Sequence, residues 1–290
     1  MKGRSDSRRL RRPGHSRGLA EIPRWGFLLK LLVRKELRVR YRGSALGMLW
    51  TYVKPATQLV VYYLAMGKFL SLDRQISNYV VYLFSGMVAI NFFNEVFRNT
   101  TGSIVWNAPL VGKIYLPREL FPVSSLWVAF VHFLPQAGVL LVGALVFGWR
   151  PGPANLAAFV LGVLVVGLMS LGLGLMFAAW NVLFRDAENF VELIAMVVMW
   201  LSPVFYSWSL VKQAAPDWLW IIYQSNPLVS GVELFHYAFW APTSGVRGTA
   251  GVMPPDWMAW AGEALLGAVV LVAIGQMVFR RHEAKFAQEL

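Results

Sequence analysis

The chain has 290 residues, of which 57% are hydrophobic and only 14% charged, and its formal net charge is +12. Soluble domains hold roughly 25% charged residues, so this balance, with a mean hydropathy of +0.52, indicates a membrane protein, of all-α class by the helix-length apolar segments traced below. Cysteine is absent, which excludes a disulfide scaffold, a thiolate zinc site, an iron–sulfur cluster and a cysteine nucleophile.

The first 42 residues carry 14 Lys and Arg against three acids, Asp6, Glu21 and Glu36, and so supply +11 of the charge. A basic arm can bind nucleic acid, but beside membrane spans it reads more simply as a topology signal, and no nucleic-acid partner is expected. Residues 1–24 are polar and rich in Arg, Ser and Gly, the composition of a disordered arm. They contain no apolar stretch, so no cleavable signal peptide is expected. Next, Trp25, Leu28, Leu29, Leu32 and Val33 share one side of a helix, with Lys30 and Arg34 opposite. Residues 25–34 are too few to span, so an amphipathic helix lying in the interface is predicted. From Leu37 to Arg42 apolar and basic residues alternate. That period alone suggests a strand; beside a span it places snorkelling Arg38, Arg40 and Arg42 among headgroups.

A hydrocarbon core about 30 Å thick needs about 20 mostly apolar helical residues. Six segments within a membrane domain of residues 25–285 meet that need: 48–70, 79–97, 121–147, 155–183, 190–210 and 258–279. With the amino terminus inside, the cytoplasmic segments hold 21 Lys and Arg and the external loops four, Arg74, Arg150, Lys212 and Arg247. This asymmetry predicts both termini in the cytoplasm. The external stretch 211–257 contains two apolar pieces, Trp218–Tyr223 and Leu228–Trp240, parted by Asn226-Pro227. Both are too short to cross. They are either re-entrant helices covered by protein or a folded external loop resting on headgroups.

Several chemistries are missing. Gly67-Lys68 and Gly112-Lys113 are followed by Phe69 and Ile114, so there is no GxxxxGK[ST] loop to cradle a nucleotide. No Asp-x-Asp pair is present to hold a metal-bound sugar nucleotide. Glu233 and His236 stand at i, i+3 without further ligands, and a hydrogen-bonded surface pair is expected there rather than a metal site. His132 in the third span is expected to make an interhelical hydrogen bond. The acids Glu95, Asp186, Glu188 and Glu192 fall at the cytoplasmic ends of predicted spans, and Glu263 toward an outer end, which disfavours proton coupling at the midplane. A catalytic role is not expected of this chain; it reads as a pathway whose energy comes from elsewhere.

Residues 38–55, RVRYRGSALGMLWTYVKP, resemble the start of the permease subunit of ABC-2 type polysaccharide exporters, the family that moves O-antigen, capsule, teichoic-acid and related glycans such as galactan. The likeness continues through Asn107–Pro122, Asn181–Asp186, Leu201–Tyr206 and Asn226-Pro227-Leu228, in the family's order over roughly residues 25–285. The resemblance implies a six-span, multi-pass half-transporter in the bacterial inner membrane. It would form a homodimer and dock two ABC ATPase subunits, which would carry the ATP and Mg2+; no cofactor is expected on this chain. A rival within transport is an ABC-2 exporter of a small lipid or drug. A rival from another class is a membrane scaffold for glycan biosynthesis.

The loop 98–120 is cytoplasmic by the charge count and can form a short helix, Ile104 to Tyr115, stopped by Pro117. The resemblance makes it a coupling helix, with Lys113, Arg118 and Glu119 flanking the ATPase contact. Arg185 and Asp186 close the fourth span, either as a topology anchor or as a docking pair. Arg38, Arg40 and Arg42 stand where a polyprenyl-diphosphate-linked glycan would enter, and guanidinium forks suit diphosphate oxygens. General attraction to anionic lipid would also account for them. Lys54 lies about four helical turns deeper than Arg40 and either snorkels back or faces the pathway. Sugars stack on aromatic rings, and the resemblance places the first and fifth spans along the channel. Tyr52, Tyr62, Tyr63, Trp200, Phe205, Tyr206 and Trp208 are therefore candidate glycan contacts. Ser170 with Gly167, Gly172 and Gly174 gives the fourth span a small-residue face for helix packing. Short external helices in 211–257 would gate the outer side.

Overall fold

Every regular element is helical among the residues described by the computed structural model, 18–113, 116–245, 253–254 and 256–290. A 3-10 helix, Gly18–Trp25, leads into α1, Gly26–Tyr41. The arm expected to be disordered over 1–24 is thus helical from Gly18, with Ile22 buried, while residues 1–17 lie outside the described residues. Helix α1 absorbs the alternating Leu37–Arg42 piece up to Tyr41. Its Leu, Lys, Glu and Arg residues are good helix formers, and the helix lays Leu32 and Glu36 against the following elements.

The first predicted span is a chain of helical pieces: a 3-10 turn Gly47–Leu49, α2 Trp50–Tyr62 with Pro55 inside it, and a π turn Tyr63–Phe69. Helix α3, Tyr79–Trp106, begins where predicted but runs nine residues beyond 97. The separate helix expected from Ile104 to Tyr115 does not form. Ile104 is in the last turn of α3, and Asn107 ends that helix by folding its amide back onto the Ser103 carbonyl at 2.9 Å. Only one turn follows, α4, Ala108–Val111, with Pro109 near its start. Next come α5, Leu120–Val146, and α6, Pro153–Leu183, close to the predicted third and fourth spans. Helix α7, Ala187–Leu201, stops at Ser202-Pro203 instead of reaching 210. Its 15 residues rise about 22 Å, less than a hydrocarbon core. The short helices α8 (Trp208–Ala214), α9 (Asp217–Gln224) and α10 (Pro227–Phe235) precede α11 (Trp257–Glu283) and α12 (Phe286–Glu289). Among the described residues four helices, α3, α5, α6 and α11, are long and apolar enough to cross a membrane.

Helix α3 is the hub. In its most apolar stretch 78% of residues are buried inside the chain, against 22% for α11. Phe93 and Phe97 fill the space toward Phe177 of α6, while Phe92 meets Phe130 and Phe133 of α5. The small-residue face of α6 packs as expected. A Cβ on Gly174 would lie 2.6 Å from Thr100 of α3, and one on Gly172 would lie 2.6 Å from the Leu271 backbone of α11. Gly275 of α11 makes the reciprocal approach to the Gly172 backbone.

The two apolar pieces of the 211–257 stretch behave differently. Helix α9 keeps Trp218, Ile221 and Ile222 exposed, whereas α10 is buried from Leu228 to Phe235 against α6, α11 and α3. The surface pair expected at Glu233 and His236 is instead buried. The carboxylate lies 3.5 Å from the imidazole, whose ring stacks on Tyr82 at 3.8 Å. Burial follows from Gly231, which lets α10 sit tightly on Val166 of α6. Metal-ligating clusters are absent among the described residues.

Candidate functional site

An open polar cleft of about 800 Å³ lies between the α1–α2 corner and the faces of α3 and α5. Its lining on α3 is Asn91, Asn94, Glu95, Arg98 and Asn99, which recur at three- and four-residue spacing and so form one stripe of that helix. His132 and Gln136, one turn apart on α5, face them, and Arg40, Tyr41, Trp50, Lys54 and Gln58 complete the outer wall.

Arg40 ties the outer wall to α3. Its guanidinium donates to Glu95 at 2.7 Å and to Asn99 Oδ1 at 2.9 Å. The Nδ1 of His132 bonds Glu95 as well, and Tyr41 Oη lies 2.8 Å from His132 Nε2. An Nδ1–H aimed at the carboxylate leaves Nε2 to accept from the tyrosine hydroxyl, which satisfies both ring nitrogens. The interhelical hydrogen bond expected of His132 is therefore present. Gln136 extends the network by accepting from Asn91 at 3.2 Å. Lower on α1, the Ser124 hydroxyl donates to Glu36 at 3.1 Å, and Lys35 reaches Asn107. Burial pushes the Glu36 carboxyl above its ordinary range, against the lowering effect of Ser124 and Lys35. These bonds fasten α1 to α3 and α5.

Of the four cations expected at a lipid entrance, Arg40 and Lys54 line this cleft; Arg38 and Arg42 are exposed outside it. Sequence reasoning missed Arg98, Asn99, Gln136 and the inward role of Glu95. The signal available was the polar stripe at 91, 94, 95, 98 and 99, whose helical spacing marks a face turned away from lipid.

The chain matches the family model described as ABC-2 type transporter over residues 28–240. It belongs to the ABC-2 type transporter family. It is 28% identical to an O-antigen export system permease protein RfbA of Klebsiella pneumoniae, over 91% of this chain and 96% of that one. A protein of the same name from Myxococcus xanthus is 28% identical over 76% of this chain and 83% of its own length. The capsule polysaccharide export inner-membrane protein CtrC of Neisseria meningitidis is 24% identical over 76% and 85% respectively.

Within this ABC-2 fold the expected coupling residues divide. Lys113 is exposed just after α4, and Tyr115 lies outside the described residues. Ile104 and Glu119 are fully buried, so neither presents a surface to a partner. Glu119 accepts from Gln276 of α11 at 3.0 Å, and Arg118 donates to the Glu283 carbonyl while its guanidinium lies over the Phe286 ring. These two residues join the start of α5 to the end of α11. Asn181 at the close of α6 bonds Glu188 of α7 at 3.1 Å.

The candidate channel aromatics also separate. Tyr62, Trp200 and Phe205 cluster where α2 meets α7, with Phe205 5.1 Å from Tyr62 and 5.0 Å from Trp200 between ring centres. Phe205 is enclosed there, so its ring is a packing element and not an accessible sugar platform. Tyr206 bonds the Trp200 carbonyl, fixing the turn after α7. Tyr63 pairs instead with Tyr79 of α3, Trp208 with Trp220 of α9, and Tyr52 stands exposed on α2.

Proposed function

We propose that this chain is the permease half of an ATP-driven exporter of lipid-linked polysaccharide in a bacterial inner membrane. Two copies would assemble with two ABC ATPase subunits that bind ATP and Mg2+. In this reading α2 with its flanking turns, and α7 with the segment after it, complete six spans. Both termini face the cytoplasm, as the charge asymmetry requires. The substrate is a glycan on a polyprenyl diphosphate, entering from the inner leaflet along α1. Exposed Arg38 and Arg42 draw anionic headgroups to that helix, and α8–α10 gate the outer side.

The observation that carries this reading is the polar cleft of α1, α2, α3 and α5. A chain built only to scaffold enzymes has no need of a water-accessible, charged recess between its membrane helices, and similarity to O-antigen and capsule export permeases supports the glycan as cargo. Exposed Tyr52 and Trp200 remain candidate glycan contacts, while Tyr62, Tyr63, Tyr206 and Trp208 flank them. Exposed Lys113 and the α4 turn are the ATPase-facing surface, and Arg118 with Glu119 pass its displacement to α11.

The test is ATPase activity of the permease co-purified with its ATPase in lipid, with and without the lipid-linked glycan. Glycan-stimulated turnover that falls at least fivefold in Lys113→Glu is expected. Absence of any co-purifying ATPase sinks the reading in favour of a scaffold. Stimulation by small amphiphiles but not by glycan would indicate an exporter of small lipids or drugs.

A further inference from the structure

The cleft carries more chemistry than its dimensions. Arg40 brings a positive charge, but Glu95 sits 2.7 Å away and cancels it. Lys54 and Arg98 line the same recess, are exposed to it, and have no ion-pair or hydrogen-bond partner among the described residues. Asn99 is only 8% exposed, and its Oδ1 is occupied by Arg40, which fixes the amide orientation and leaves Nδ2 as a buried donor without a partner. An unpaired buried donor costs roughly 1–3 kcal/mol, so it marks a place where something else is meant to accept. Nearby, Asn94 Oδ1 is a buried acceptor without a partner.

We infer that Lys54, Arg98 and the Asn99 amide form the binding site for the diphosphate of the lipid-linked substrate, and that Arg40 is a positioning residue which orients Asn99. This rests on the exporter reading for the identity of the ligand and assigns its contacts. A diphosphate esterified at both ends carries two negative charges. The two uncompensated cations match that charge, whereas counting Arg40 without Glu95 would overshoot it. Asn99 Nδ2 donates to a non-bridging oxygen, and Asn94 Oδ1 accepts a hydroxyl of the first sugar. The exposed Arg38 and Arg42 then serve the membrane surface and not the headgroup.

The experiment uses the full-length chain in phosphatidylcholine nanodiscs with undecaprenyl-diphosphate N-acetylglucosamine as probe, and with phosphatidylglycerol and inorganic pyrophosphate as competitors. Lys54→Gln and Arg98→Gln are each expected to weaken probe binding about tenfold, the scale of one charge-assisted hydrogen bond. Lys54→Arg and Arg98→Lys should recover most of the affinity, which a merely structural role would not predict. Arg281→Gln, outside the cleft, should stay within twofold. Inorganic pyrophosphate should compete, and phosphatidylglycerol should not. Wild-type affinity in the Lys54→Gln, Arg98→Gln double variant overturns the assignment, as does displacement by phosphatidylglycerol at the probe's own concentration. Probe binding that depends on Lys54 and Arg98, in a complex that exports no glycan, overturns the exporter reading alone. Full export with wild-type affinity in the double variant overturns this inference alone.

Discussion

The crossing of α6 and α11 can be tested by adding one carbon atom. A Cβ on Gly172 would sit 2.6 Å from the Leu271 carbonyl carbon and 2.7 Å from the Val272 nitrogen, where ordinary contact starts at 3.4 Å. The difference, 3.4 − 2.6, requires the helices to part by 0.8 Å. The obstacle is backbone, so no rotamer change relieves it. A gap of that size forfeits a quarter to a half of each dispersion contact along the seam, and overpacking of this kind costs about 1–3 kcal/mol. The atoms concerned cannot yield, so Gly172→Ala belongs at the upper end, near 3 kcal/mol. It regains up to about 1 kcal/mol of helix propensity. The net loss, about 2 kcal/mol, lowers the melting temperature by about 4–8 °C in a chain of this size. The control is Gly138→Ala in α5, where an added Cβ meets nothing within 4 Å and only the propensity gain applies. Thermal unfolding of the detergent-solubilised protein, followed by tryptophan fluorescence, reads both. If Gly172→Ala melts as high as Gly138→Ala, the close crossing does not exist as described.

Three further outcomes are expected. Burial raises the Glu36 carboxyl above its ordinary 4.5, so the folded chain binds this proton more tightly than the unfolded one, and stability falls as pH rises from 4.5 through the folded-state value. Glu36→Gln, which keeps an acceptor for Ser124, should flatten that pH dependence above pH 4.5; an unchanged slope in melting experiments would count against it. The Tyr82 hydroxyl bonds the Pro203 and Tyr206 carbonyls at 3.0 and 2.8 Å, so Tyr82→Phe should cost about 1–3 kcal/mol and speed hydrogen exchange across residues 202–207. Protection there equal to wild type would refute the anchor. Gln276→Leu removes a donor from fully buried Glu119 and should cost about 1–3 kcal/mol, whereas Glu119→Leu with Gln276→Leu should recover at least half of it. A double variant no more stable than the single would show that the pair does not hold α5 to α11.

Hydropathy located α5, α6 and α11 to within a few residues because each keeps a face toward lipid, the environment that hydropathy measures. It cut α3 short at residue 97 because Arg98, Asn99, Thr100 and Thr101 turn toward the cleft and the protein interior. A polar residue there has protein partners, so it does not end the helix. Residues 190–210 carry a single charge, Glu192, and Ser202-Pro203 alone gives notice that the helix would stop. Arg40 and Lys54 could be read as charges near a membrane surface. Their different fates, one neutralised by Glu95 and one left free, depend on the register of three helices that meet only in space. Arg118 and Glu119 were recognisable as polar residues beside a proline, but Gln276 and Glu283 lie more than 150 residues further along the chain, so their inward attachment left no local trace.

The enclosure of α3 makes it the helix least free to move. Displacing α3 would unseat Phe92, Phe93 and Phe97 from α5 and α6 at the same time, and Tyr79 and Tyr82 from the turn after α7. Close-packed interiors do not deform by small degrees. Elements that keep a broad exposed face include α2 with the π turn after it, which expose Val53, Val60 and Leu64, and α7, which exposes Leu193, Met196 and Trp200. Under the exporter proposal, a passage for the polymer would open by these two swinging on a fixed axle, and α3 would serve as that axle, keeping one wall of the cleft in register while the opposite wall travels.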